Sequence, residues 1–262
     1  SAVLPVHCGA RSLFFSVFLR PLRCAPLFHT GRTPLPCAGA VRRYLRAHDE
    51  SSTGCQHMLF AFEGIDGSGK STQARLFAEW LRAEGVVGEL VEVREPGGTS
   101  LGETVRSIVL DPATRELDVR AELFLFMAAR AQLCAEVIAP ALERGASVVA
   151  DRYFWSSMVY QGIAGGLGID DVRAIARVAT QGIAPRLTFV IDLDPKVAAA
   201  RLGSVRDRIE RRGVEFASRV RDGYLELARR YPDEIVVIDG EGDPRTVHDR
   251  VLRVWESERS GS

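Results

Sequence analysis

The run Gly64-Ile65-Asp66-Gly67-Ser68-Gly69-Lys70-Ser71 fits the spacing GxxxxGK[ST], and it lies between an apolar stretch that reads as a strand and an amphipathic one that reads as a helix. Glycines at those positions let successive backbone N–H groups turn inward, and the following helix presents its positive end, so the turn is suited to a polyphosphate. Gly64, Ile65, Asp66, Gly67, Ser68 and Gly69, with Thr72 beyond them, would line the donor site and cradle a β-phosphate. Lys70 would reach the β- and γ-phosphates and the Ser71 hydroxyl would ligate Mg²⁺, which points to ATP as donor. A carboxylate suited to the same Mg²⁺ shell is Asp151, at the end of the apolar run Val148-Val149-Ala150. It falls at the carboxyl edge of the predicted sheet, where open α/β sheets bind ligands. Asp is also a favoured helix N-cap, and the two roles can coexist.

These groups need a scaffold, and the chain from Met58 onward has the pattern of one. Short apolar runs alternate with amphipathic stretches, which predicts a five-stranded parallel sheet with helices on both faces. The strands are expected at 59–63, 89–94, 147–151, 187–193 and 235–238. Apolar residues recur at helical spacing between them: Ala74, Phe77 and Leu81, then Val172, Ile175 and Ala179, then Val247, Val251 and Val254. Gly85, Gly145 and Gly182 stand where helices need to stop. The basic, poorly apolar stretch 203–213 reads as a mobile lid.

Composition narrows the class further. Of 262 residues, 46% are apolar and 26% charged, as in a soluble globular protein with a sizeable core. The first 57 residues hold seven arginines against only Asp49 and Glu50, which leaves residues 58–262 with 27 basic and 32 acidic side chains. A mildly acidic body argues against nucleic acid as partner, so phosphate should be held by a local pocket. Four of the five cysteines fall in that head without metal spacing, which suits a reducing, cytoplasmic setting. The apolar run 13–19 is too short to span a membrane. Segment 1–57 reads either as a disordered extension upstream of a natural start at Met58 or as an arginine-rich transit peptide whose amphipathicity its prolines interrupt. The former is the expectation.

Three further segments carry a resemblance: Arg94-Glu95-Pro96-Gly97-Gly98-Thr99, Asp151-Arg152-Tyr153 running on to Ser156-Ser157 and Tyr160-Gln161-Gly162, and Asp207-Arg208-Ile209-Glu210. In order and separation the chain over 58–257 resembles the thymidylate kinases of bacterial type, a branch of the P-loop nucleoside monophosphate kinases. The resemblance implies transfer of the ATP γ-phosphate to dTMP, Mg²⁺ as cofactor and a homodimer. It places Phe126 on the thymine ring, Arg130 at a pyrimidine carbonyl, and Gln161 and Ser157 at the base edge. Tyr160 would lie along the sugar, and Asp66 at the 3′-hydroxyl. Arg152 and Arg106 would clamp the acceptor phosphate, with Glu95 and Arg94 lining the same cleft. On residue type alone Phe126 is more often core packing, and Tyr160 could equally be a buried tyrosine with a satisfied hydroxyl.

The phosphate-binding turn lacks the arginine that one branch of the family carries there, so the lid is expected to supply it. Arg206, Arg208, Arg211 and Arg212 are available, with Arg208 in Asp-Arg-Ile-Glu the best match. The expected chemistry is direct in-line transfer, with Lys70, Mg²⁺ and Arg208 neutralising charge while Arg152 positions the acceptor. Two other readings share the turn and the sheet: a kinase for another monophosphate, and a nucleotide-binding switch that does not transfer phosphate.

Overall fold

The computed structural model describes residues 58–114, 117–203 and 206–260; the expectation for 1–57 lies outside these. Strand β1 (Leu59–Glu63) is central, and all five strands are parallel in the order β2-β3-β1-β4-β5. The others are β2 (Leu90–Arg94), β3 (Ser147–Asp151), β4 (Leu187–Asp192) and β5 (Ile235–Asp239), each within one residue of its expected bounds at either end. The edge strands depart from the expected buried pattern. Glu92 and Arg94 of β2 are exposed, since an edge strand is flanked on one side only.

In β1 the side chains alternate between two cores. Leu59 and Ala61 enter one; Phe60 and Phe62 enter the other. The second core lies under α1 (Lys70–Ala83) and α9 (Pro244–Ser260). There Phe60 meets Phe77 and Trp255 edge-on, both at 5.2 Å between ring centres. Full burial of each phenylalanine contributes about 1.5–3 kcal/mol, which anchors the strand preceding the phosphate-binding turn. Helix α1 ends where Gly85 takes a φ of 62°, and the Val86 amide closes back on the Leu81 carbonyl at 3.1 Å.

The first core carries the acceptor side. Helix α2 (Ser100–Leu110) follows β2, and Thr99 caps it by accepting from the Gly102 amide at 2.9 Å. Helix α3 (Val119–Leu133) runs through a π-helical turn (Cys134–Ile138) into α4 (Ala139–Glu143). The stretch Val119–Glu143 is long and apolar enough to cross a membrane by length and composition, yet Glu122 and Arg130 lie on its buried side. After β3 come α5 (Phe154–Ser157), a second π-helical turn (Met158–Ile163) and α6 (Ile169–Ala179). After β4 come α7 (Pro195–Arg201), a 3₁₀ turn (Glu210–Arg212) within the expected lid, and α8 (Gly213–Arg230). The lid segment rests on α2 through the Arg208 amide, which donates to the Leu110 carbonyl at 3.0 Å.

Candidate active site

The turn after β1 has the left-handed backbone its glycines predict, with φ of 140° at Gly64, 82° at Gly67 and 97° at Gly69. Close approach adds a second demand: a Cβ on Gly67 would lie 2.3 Å from the Ala198 carbonyl oxygen. Gly69 caps α1 without a side-chain bond, which leaves the first-turn amides to a ligand. Lys70 is buried and donates to Asp66 Oδ1 at 3.1 Å. Ser71 is exposed in the first turn, Thr72 is half-buried, and the buried Ser68 hydroxyl has no partner.

Asp151 pairs in register with Phe62 of β1, so it stands beside this turn. It is not a helix cap; Tyr153 holds the N-cap position of α5. Its Oδ1 is buried without a hydrogen-bond partner. An orphaned carboxylate oxygen at that position fits a Mg²⁺ shell, directly or through water, with the Ser71 hydroxyl as the other protein ligand. Among the described residues no cluster of three or more His, Cys, Asp or Glu could hold a metal. Mg²⁺ characteristically takes one or two protein ligands and completes its shell from phosphates and water, so the sparse donor set suits it.

Arg152 links this turn to the acceptor side. Its backbone has a φ of 72°, a conformation costly for a residue with a Cβ, and its surroundings hold it there. Glu63, fully buried at the end of β1, accepts from the Tyr153 amide at 2.8 Å, the Ser156 hydroxyl at 2.6 Å and the Tyr224 hydroxyl at 2.8 Å. The Arg152 guanidinium then donates to Asp66 at 2.6 Å, to Ser156 at 3.0 Å and to the Tyr160 hydroxyl at 3.3 Å. Burial alone would raise the Asp66 carboxyl, but the charges of Arg152 and Lys70 override it and hold the group well below the usual carboxylate range.

A solvent-open cleft of about 560 Å³ extends from Asp66 and Arg152. Glu95, Arg106, Phe126, Ser157, Tyr160 and Gln161 line it, so most of the expected acceptor residues come together. Phe126 is half-buried, backed by Val105, Val109 and Ala129. Arg106 donates to the Pro96 carbonyl at 3.0 Å, and its half-burial together with the nearby Arg94 lowers its pKa. Tyr160 has both expected attributes: it lines the cleft, and its hydroxyl is satisfied by Arg152.

Three expected residues lie elsewhere. Arg94 is exposed and does not line the cleft; its Nη2 donates to Glu103 Oε1 at 3.3 Å. Arg130 is 1% exposed and spends its donors on the protein: Nε to Glu95 at 2.7 Å, Nη1 to Ser157 at 3.0 Å and to Met127 Sδ at 3.2 Å, Nη2 to the Tyr153 carbonyl at 3.3 Å. It stands behind the cleft wall and braces Glu95 and Ser157. Burial pushes the Glu95 carboxyl up, against the pull of Arg130. Arg208 is likewise engaged, donating to the Val109 carbonyl at 2.8 Å and to Glu122 at 2.5 Å, and it does not line the cleft. Arg206 lines a neighbouring apolar hollow under the lid, which shares Asp66, Tyr160 and Ile209 with the cleft. Arg211 and Arg212 are exposed, Arg212 reaching Glu122.

Sequence reasoning missed Glu63, Tyr224, Glu122 and Arg201. Arg201 closes α7, and its Nη1 lies 3.9 Å from where a Cβ on Gly69 would stand. Its signal was available: an arginine two residues before the lid, at the end of a helix that follows a strand. Glu63 gave the same hint as Asp151, a carboxylate at the end of an apolar strand.

The thymidylate kinase family model matches residues 62–251. A thymidylate kinase from Symbiobacterium thermophilum is 45% identical over 200 residues, covering 76% of this chain and 92% of that relative. One from Kosmotoga olearia is 46% identical over 198 residues, covering 75% and 94% respectively. Among solved structures, the thymidylate kinase from Ehrlichia chaffeensis superposes with a TM-score of 0.63 at 34% identity, covering 76% of this chain and 99% of that one. With a family match across most of the chain and relatives this similar along nearly their whole length, this chain belongs to the thymidylate kinase family.

Proposed function

We propose that the chain transfers the γ-phosphate of ATP to dTMP, giving ADP and dTDP. The observation that carries this reading is one cleft in which Arg106, Arg152, Phe126 and Gln161 gather and which opens onto Asp66 of the phosphate-binding turn. A guanidinium pair suits a phosphate dianion, a ring with an amide beside it suits a pyrimidine, and Asp66 of the donor turn is itself in the lining.

Arg152 and Arg106 hold the acceptor phosphate so that one of its oxygens faces the γ-phosphorus. That oxygen forms the new P–O bond while the bond from the γ-phosphorus to the β,γ-bridging oxygen breaks, and ADP leaves with the electron pair. The acceptor is already ionised near neutral pH, so no general base is required. Lys70 faces the transferring group; Ser71 and Asp151 would hold Mg²⁺, which when bound would supply further charge neutralisation. Asp66, an ionised acceptor, takes the 3′-hydroxyl hydrogen bond and disfavours a phosphate there. We assign the lid-side phosphate contact to Arg201, beside Gly69, with Arg206 next in line and Arg208 anchoring the lid.

We also place this enzyme in the cytoplasm, consistent with the free, buried Cys134, and as a homodimer. Leu101 and Ile108 on α2 and Phe124 on α3 are exposed on neighbouring helices, a face a second copy would cover. The test of the activity is ADP release by residues 58–262 with dTMP, UMP, CMP, GMP or thymidine as acceptor. Strong preference for dTMP is expected; preference for any other acceptor overturns the substrate, and ATP binding without transfer would favour the switch.

A further inference from the structure

Glu122 has no part in the chemistry above, yet it is the sole carboxylate of α3. It is fully buried and takes three partners from distant parts of the chain. Gln161 Nε2 donates to its Oε1 at 2.8 Å, and the Nη2 atoms of Arg208 and Arg212 both donate to its Oε2 at 2.5 Å. Both oxygens of this carboxylate are thus met by N–H donors, and towards them it acts as an acceptor. The side of the Gln161 amide that faces it must therefore be the NH₂ group. The opposite side, Oε1, is buried without any partner in the protein, although Gln161 lines the acceptor cleft.

We propose that Glu122 is a positioning residue: it turns the Gln161 amide so that the cleft meets a hydrogen-bond acceptor, and through Arg208 and Arg212 the same carboxylate seats the lid. This deepens the dTMP reading and rests on it. A buried acceptor without a partner is costly until a ligand supplies a donor. On the Watson–Crick edge of thymine that donor is N3–H, whereas cytosine presents an acceptor at the same atom. The hydrogen-bonding sense of the base subsite is thus set one residue back from the cleft, by a charge that never touches the substrate. Gln161 sits in the π-helical turn Met158–Ile163, whose wider winding lets the amide reach across to α3.

The test compares dTMP with 5-methyl-dCMP, which keeps the pyrimidine ring, the C5 methyl group and the C2 carbonyl but presents an acceptor at N3. Wild-type enzyme should prefer dTMP in kcat/KM by roughly ten- to a hundredfold, the range expected when a buried acceptor loses its partner. In Glu122→Gln the new amide can present either face, so Gln161 is free to turn and the ratio should fall toward unity. An unchanged ratio in a folded variant overturns the proposal, because a merely structural role slows both nucleotides alike. No discrimination by a wild type that turns over dTMP overturns it too. Should the variant not fold, the wild type still decides: the Gln161 side-chain NH₂ protons should give NOE cross-peaks to the Glu122 γ-methylene with and without dTMP, and their absence overturns the proposal. Failure of wild type to phosphorylate dTMP would instead strike the functional reading, and the cross-peaks of the free protein would still judge the hold of Glu122 on Gln161.

Discussion

At the scale of single residues the site turns on Asp66, bonded to Lys70 on the donor side and to Arg152 on the acceptor side. Both cations favour its charged form, so its carboxyl ionises at lower pH in the folded chain than in the unfolded one. With the folded pKa depressed, its stabilising contribution is present above about pH 4, the unfolded value, and is lost as pH falls toward the folded one. Its side chain is 30% exposed, so solvent screens part of the effect. Asp66→Asn should therefore lose less unfolding free energy than wild type between neutral pH and pH values below about 4, as read by urea titration. Equal losses in the two proteins would show that Asp66 is not coupled to those cations. The variant should also raise the KM for dTMP, since an amide meets the 3′-hydroxyl with weaker polarity.

At the scale of elements the lid separates what spacing can convey from what it cannot. The expected strands and the glycine turn follow local rules of alternation, apolar runs and positive φ, and they stand within a residue of where the sequence puts them. Phe126 and Arg152 also line the cleft, but it is the resemblance, and not periodicity, that assigns them to the acceptor. The pairing of Arg208 with Glu122 joins residues 86 apart, and the bracing of Arg130 by Glu95 joins residues 35 apart. Neither can be read from periodicity, because in each the partner lies on another element. Arg201 and Arg208 consequently have different expected phenotypes. Arg201→Ala should lower kcat by about 10³-fold or more with little change in the KM for dTMP, the scale of a lost phosphate-facing arginine. Arg208→Ala removes an anchor while Arg212 keeps its bond to Glu122, so it should raise the KM values and reduce kcat by less. If steady-state kinetics instead show Arg208→Ala with the larger kcat loss at unchanged KM, the phosphate contact belongs to Arg208.

At the scale of the whole molecule, α3 faces two ways. Its buried side carries Glu122, Met127 and Arg130, and half-buried Phe126 reaches the cleft, while Phe124 is 59% exposed and joins Leu101 and Ile108 of α2 on the outside. The apolar character of Val119–Glu143 exceeds what its inner face needs, which a second copy packed against the outer face would explain. A partner there would also stiffen the helix that carries the pyrimidine-facing residues. Light scattering over a dilution series should report twice the monomer mass for wild type and one monomer for Phe124→Asp. Because Phe124 lies outside the cleft, the monomeric variant should keep its affinity for ATP while its KM for dTMP rises. A wild type that scatters as a monomer at the highest soluble concentration would remove the dimer, and a monomeric Phe124→Asp with unaltered dTMP kinetics would keep the dimer but break its link to the site.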